Sequence, residues 1–238
     1  SKIGCLILKF EGFEEKIEAD GVGSLAGQSG FQVIGSALTR SRGMEYGEIV
    51  SMPETERAIR TALQSAQKLA NSRVDHVIAC ISGGSPRSYG LEGTVDIKTG
   101  IVDDNDIADV LGSCGIPAYG SDREVLHAQP VNFSLDHRTG LSDPRGQIGK
   151  KLSVDMHMLT VQEKTIHDLA YCLKRCDLEL AGVASASYAS ALSSLVEDEK
   201  ELGAACIDLG GGSTNLAIFW KKHMIFAETI KMGGGLVT

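Results

Sequence analysis

The most constraining stretch of this 238-residue sequence is Gly203–Trp220, where two apolar runs flank Asp208-Leu-Gly-Gly-Gly-Ser-Thr214. It reads as strand, tight turn, strand. A further strand is expected over 224–231, and a second glycine run, Gly233-Gly-Gly235, follows directly. A hairpin uses glycine for positive φ, but three in succession behind an aspartate exceed what a turn requires. Loss of three consecutive Cβ atoms lets backbone N–H groups approach an anion closely. Ser213 and Thr214 add hydroxyl donors, and Asp208, leaving a buried strand, is placed to hold water on a phosphate-bound divalent cation. A plain hairpin also satisfies the spacing; the aspartate, glycines and hydroxyls together favour phosphate.

Upstream, the periodicity describes an α/β layer. Strands are expected over 3–10 and 31–38, with loops over 11–30 and 39–47. A helix over 52–71 keeps Ile59, Ala62, Leu63, Ala66, Leu69 and Ala70 on one face; Ser51 and Glu54 stand in capping-box relation, and Pro53 suits the first turn. A buried strand follows over 74–81. The pattern breaks at Gly83-Gly-Ser-Pro86, and short strands (91–97, 131–136, 152–159) then surround one helix, 103–113. Residues 83–153 therefore read as a small α+β insertion, entered and left through paired or adjacent strands at 77–81 and 154–159. Beyond it the spacing predicts a helix over 161–176 opened by Thr160 and Glu163, a helix over 183–195 and a charged turn at 198–201.

Apolar residues make up 42% and charged residues 23%, enough for an ordinary core without disulfides. A net charge of −8, scattered basic residues and 5% aromatics argue against a nucleic-acid surface. The six cysteines show no zinc spacing; Cys172 and Cys176 share a helix face and read as reduced thiols rather than a metal pair. No stretch approaches the ~18 apolar residues of a membrane span, and Ser1–Lys9 has no basic leader, so no secretory signal is expected there. Asp103, Asp104 and Asp106 lack the glycine and distal glutamate of a calcium loop and read as a helix start favoured by the dipole. His127 and His157 read as packed or solvated, Lys98 and Lys231 as surface charges, and Trp220 as packed on the sheet. Arg123 and Glu124 read as surface residues or as a filament contact of the insertion.

The Asp208–Thr214 hairpin resembles the second phosphate loop of the actin-like ATPase superfamily. Further motifs resemble the bacterial cell-division FtsA family: Ser41-Arg-Gly-Met-Glu-Tyr-Gly47, Ile81-Ser-Gly83, Asp104-Asn-Asp-Ile107, Arg123-Glu-Val-Leu-His127 with Pro130 and Asp136, Leu141-Ser-Asp-Pro-Arg-Gly146, Ala181-Gly-Val-Ala-Ser185 and Asp198-Glu-Lys-Glu-Leu-Gly203. The resemblance runs in order over nearly the whole chain. It implies an actin-like (ribonuclease H-like) α/β domain with an inserted α+β subdomain, followed by the start of a second actin-like domain. Residues 1–82 and 154–195 would be subdomain 1A, 83–153 the inserted 1C, and 196–238 the beginning of 2A. It also implies ATP and Mg as ligands. Lys2 would be the tail of a first phosphate loop; Asp208, Gly210, Gly211, Gly212, Ser213, Thr214 and Asn215 would form the second. Gly233, Gly234 and Gly235 would belong to a Gly-Gly-x-x-Thr turn at Gly234–Thr238, and Asp208 would reach Mg through water. The remainder of 2A, 2B, the adenosine loop and a C-terminal membrane helix are expected beyond the residues given, so these residues by themselves are expected to bind ATP weakly or not at all. The implied role is a filament-forming adaptor on the cytoplasmic face of the inner membrane that anchors FtsZ filaments during septum formation. No nucleic acid is implied, and at most weak ATPase activity. An exopolyphosphatase or other phosphotransfer enzyme of the same superfamily is the alternative. Its signature carries a glutamate after the threonine, where this chain has Asn215, and a carboxylate is what would activate water. A pilus-assembly adaptor of similar fold is a third reading.

Overall fold

The computed structural model describes residues 2–10, 30–115, 117 and 120–236. Its elements in order are β1 (Lys2–Phe10), β2 (Phe31–Arg40), β3 (Met44–Glu45), β4 (Glu48–Ile49), α1 (Met52–Ala70), β5 (His76–Ile81), β6 (Arg87–Asp96), α2 (Asp104–Gly112), β7 (Arg123–Leu135), β8 (Arg138–Leu141), β9 (Lys151–Gln162), α3 (Glu163–Arg175), β10 (Glu179–Ser185), α4 (Ala186–Ser194), α5 (Glu197–Leu202), β11 (Ala204–Leu209), β12 (Thr214–Trp220) and β13 (His223–Ile230). A 3-10 turn covers Gly234–Leu236. The chain divides into two compact units: Ser1–Met44, Ile49–Val77 and Ala170–Ala181; and Glu45–Glu48, Ile78–Leu169 and Gly182–Thr238. None of the described helices is long and apolar enough to cross a membrane.

In the first unit β1 and β2 form an antiparallel pair from Lys2↔Arg40 to Phe10↔Phe31, with an irregularity at Ile7/Leu8. Helix α1 packs on them through the stripe Ala58, Ala62, Leu63 and Ala66, whose small side chains permit a close approach. A Cβ on Gly35 would collide with the Ala66 carbonyl, so this contact demands glycine on the strand. The expected Ser51 cap bond is not made. Instead the buried Thr55 hydroxyl is held between the Gly43 and Ser51 carbonyls at 2.9 and 3.0 Å. Glu56 accepts from Arg175 Nε at 2.7 Å and Arg60 Nε at 3.2 Å, and these two guanidiniums, Arg175 first, hold its carboxyl below the usual range. Cys172, Cys176 and Leu178 are buried nearby as core. The loop expected over 11–30 falls at 11–29 outside the described residues.

The second unit contains a four-stranded antiparallel sheet of order β6-β9-β7-β8. Its inner strand β9 is buried continuously from His157 to Val161, and Leu152 and Val154 are buried before it. Helix α2 packs on β6 and β9, closing a core of Val102, Val110, Phe133, Leu135, Leu152 and Val154. Three strands ordered β11-β12-β13 form another sheet, which packs with α4 around Leu159, Ala191, Ala217, Phe219 and Met224. Ser88 of β6 accepts from Ala227 N at 2.9 Å and donates to Ala227 O at 3.1 Å, fastening β13 to β6.

Several sequence expectations are corrected. Residues 154–159 belong to β9, paired with β6 and β7, whereas β5 pairs with β10; the insertion is not bracketed by strands 77–81 and 154–159 as partners. β7 begins at Arg123, β6 begins at Arg87, residues 183–185 end a strand, residues 44–45 and 48–49 form short strands, and the charged turn is the short helix α5. Thr160 does not cap α3: β9 runs directly into that helix, and the Thr160 hydroxyl accepts from Arg123 Nε at 2.9 Å.

Candidate functional site

Strand pairing builds the site. Asp208 of β11 lies opposite Asn215 of β12, which lies opposite Thr229 of β13. All three side chains share a face because alternate strand residues point the same way. Thr229 Oγ1 donates to Asn215 Oδ1 at 2.8 Å, and Asn215 Nδ2 donates to Asp208 Oδ2 at 3.4 Å. Ser190 Oγ of α4 donates to the same Asp208 oxygen at 3.2 Å. Asn215 is buried, at 3% exposure, and its amide orientation is settled by the Asp208 carboxylate, which can only accept. The row thus fixes Asp208 through one oxygen; among the described residues Oδ1 receives no hydrogen bond.

The turn that follows is locked to the second glycine run. Gly210 N–H donates to Ser213 O at 2.9 Å, Gly234 N–H to Gly210 O at 2.9 Å, and Gly235 N–H to Gly211 O at 2.9 Å. Thr214 Oγ1 donates to Met232 O at 2.7 Å. A Cβ on Gly233 would sit 2.6 Å from Gly210 O and 2.7 Å from Ser213 N; one on Gly210 would sit 2.8 Å from Ser213 O. Close backbone approach, without positive φ, is what requires glycine at Gly210, Gly233 and Gly235. Among the described residues the N–H groups of Gly211 and Gly212 meet no protein acceptor, so the turn retains backbone donors for an anion.

Asp208, Gly210–Asn215 and Gly233–Gly235 are therefore brought together in the second unit, whereas Lys2 opens β1 in the first. Thr238 lies outside the described residues. Sequence reasoning missed Ser190 and Thr229. Thr229 becomes visible only once β12 and β13 are paired, and Ser190 only once α4 is packed.

Other candidates resolve into structure. Asp103 Oδ1 accepts from Asn105 N and Asp106 N at 2.9 and 3.0 Å, while Asp106 Oδ2 accepts from Asp103 N at 3.0 Å, a complete capping box. These backbone donors, that of Asp106 first, lower the Asp103 carboxyl. Lys231 pairs with Glu48 at 2.9 Å. Burial raises the Cys172 thiol to about 11, which makes it inert at neutral pH. Arg123 is not a surface residue: it is 7% exposed. Its guanidinium donates to Ser85 O at 2.7 Å, Thr160 O at 2.9 Å and Thr160 Oγ1, and burial lowers its pKa. His127 Nε2 accepts from Ser185 N at 3.0 Å. His157 is 2% exposed and neither ring nitrogen has a partner among the described residues. Glu124, Glu163 and His167 form an ion-pair cluster, with His167 Nε2 3.5 and 3.6 Å from the two carboxylates.

An α/β chain with a glycine-rich hairpin and an inserted α+β subdomain has the actin-like fold, and a solved structure supports this fold. The chain is similar to a chain of a PilM-PilN type IV pilus biogenesis complex with a TM-score of 0.60, at 12% identity, covering 86% of this chain and 56% of that one. Residues 83–160 match the family model of the SHS2 domain inserted in FtsA. The cell division protein FtsA of Rhizobium meliloti is 36% identical over 207 residues, 87% of this chain and 47% of that protein. FtsA of Pseudomonas aeruginosa is 32% identical and FtsA of Escherichia coli K12 25% identical, each over 91% of this chain and 52% of the relative. Over the region it spans, about half the length of the curated relatives it matches, the chain is similar to these FtsA proteins.

Proposed function

We propose that this chain acts in cell division as an actin-like adaptor that takes ATP with Mg as a conformational ligand. The observation that carries the nucleotide reading is the interlocked glycine pair. Gly233 and Gly235 approach the Gly210–Ser213 turn at distances no Cβ would allow, and the Gly211 and Gly212 N–H groups remain for phosphate oxygens. Asp208, steadied by Asn215 and Ser190, keeps one carboxylate oxygen for the water shell of a phosphate-bound Mg, which prefers to retain its waters. Asn215 cannot accept a proton from water, and the one carboxylate of the row, Asp208, is assigned to the cation's water shell, so this reading takes the ligand as held more than turned over. The division role is supported by the relatives, each a cell division protein.

In this reading the full-length protein self-associates into filaments, lies on the cytoplasmic face of the inner membrane through a segment outside these residues, and tethers FtsZ there. The test is co-sedimentation of FtsZ filaments with vesicles of phosphatidylglycerol and phosphatidylethanolamine in the presence of the full-length protein and Mg-ATP. FtsZ should move to the vesicle pellet only when the protein is present. FtsZ remaining in the supernatant while the protein itself pellets would overturn the tethering role.

A further inference from the structure

The first unit contains a cavity of about 300 Å3 that the nucleotide reading does not use. It is lined by Thr39 and Arg40 at the end of β2, Arg42 just beyond, and Glu54, Arg57, Ala58 and Thr61 of α1. The helix residues are spaced i, i+3, i+4 and i+7, so they present one face to it. Arg40, Arg42 and Arg57 form no ion pair among the described residues, and only Arg57 Nε is spent, on Pro53 O at 3.1 Å. Arg60, Arg145 and Arg175 by contrast pair with carboxylates, and Arg123 donates to carbonyls, while Arg73 and Arg87 stand singly rather than gathered around one groove.

Three guanidiniums against one carboxylate, Glu54, leave a formal local charge of +2 (three minus one) in a chain whose net charge is −8. Like charges gathered without counter-charges repel one another, and an anion among them removes that cost. Guanidiniums are planar forks that grip phosphate oxygens in pairs, with charge-assisted bonds roughly twice as strong as neutral ones. The Thr61 hydroxyl proton is spent on Arg57 O at 2.8 Å. The Thr39 hydroxyl is unspent among the described residues, and Ala58 supplies an apolar floor. A volume near 300 Å3 lies at the lower end of small-molecule sites.

We propose that this cavity is a binding site for a small phosphate-bearing anion, gripped by Arg40, Arg42 and Arg57 and opposed by Glu54. The site is built wholly from the first unit and does not depend on the glycine cradle. The test is calorimetric titration of the full-length protein with pyrophosphate at physiological salt, with folding of each variant checked by circular dichroism. Arg42→Gln combined with Arg57→Gln should weaken binding by at least about tenfold. Glu54→Gln should tighten it, a gain that damage to the fold would not produce. Saturating the cradle with Mg-ATP during the titration should leave it unchanged, which separates this site from the cradle. A parallel arm uses phosphatidylglycerol vesicles. Arginine-dependent binding of pyrophosphate identifies a soluble ligand, and arginine-dependent binding of the vesicles alone identifies a lipid headgroup. The proposal is overturned if neither probe binds, if binding is indifferent to the two arginines, or if Glu54→Gln weakens it.

Discussion

His157 offers the sharpest test of the packing in the second unit. It stands in the inner strand β9, opposite Gly90 of β6 and Gln129 of β7, buried and with both ring nitrogens unpartnered among the described residues. Burial, and secondarily the nearby His127, pushes its pKa from 6.5 down to about 4. A base with a depressed folded pKa stabilises the fold above its unfolded pKa, and that contribution is lost as pH falls from about 6.5 towards 4. The full difference corresponds to about 3 kcal/mol, of which about 2 kcal/mol should be gone by pH 5. His127, lowered by burial alone, adds in the same direction. Replacing His157 with leucine removes the titrating group at similar volume. Urea unfolding followed by circular dichroism at pH 7 and pH 5 should show the parent losing about 2 kcal/mol more than His157→Leu. If both proteins lose the same stability between those pH values, His157 is not a buried neutral imidazole and the reasoning fails.

Arg123→Met should destabilise by roughly 2–4 kcal/mol, because it leaves Ser85 O, Thr160 O and Thr160 Oγ1 without their donor; a change under about 0.5 kcal/mol in the unfolding free energy from urea titration would contradict the buried role of Arg123. Gly233→Val should lower stability by about 1–3 kcal/mol or more, since its Cβ would press on the Gly210–Ser213 backbone. Thermal unfolding indifferent to it would contradict the interlock. Asn215→Ala should cost about 1–3 kcal/mol, through the unpaired Thr229 hydroxyl and the freed Asp208 carboxylate, and should weaken Mg-ATP binding by titration. Unchanged affinity would remove Asn215 from the site.

Much of this architecture was legible because particular residues leave only one local solution. The 3.6-residue spacing of Ile59, Ala62, Leu63, Ala66, Leu69 and Ala70 marked α1, although the buried face runs through Ala58, Ala62, Leu63 and Ala66 and leaves Leu69 68% exposed, and the glycine hairpin marked β11 and β12. β7 was read too short because its alternation is interrupted twice, at Val125/His127 and at Pro130/Asn132. Each irregularity flips the periodic signal, and Pro130 resembles a breaker although bulges tolerate it. β10 was partly hidden because Leu180-Ala-Gly-Val-Ala184 suits a strand or a small-residue helix equally well. Arg123 was misread as exposed because nothing local shows that Ser85 and Thr160, both 37 or more residues away, surround it. In the site, the Asp208 loop was legible and its supports were not. The locking of Gly210 by Gly234, like the Asp208–Asn215–Thr229 row, arises from strand register, which spacing alone does not specify.

The central claim, that Asp208 and the paired glycine turns form the phosphate side of a nucleotide site, is tested most directly by calorimetry of Mg-ATP with the full-length protein and its Asp208→Ala variant. The variant removes the carboxylate that would order the cation's water shell and leaves the glycine backbone in place. Affinity for Mg-ATP should fall by about tenfold or more, while metal-free ATP should bind parent and variant alike. Equal Mg-ATP affinity in the two proteins, with circular dichroism showing both folded, would contradict the account.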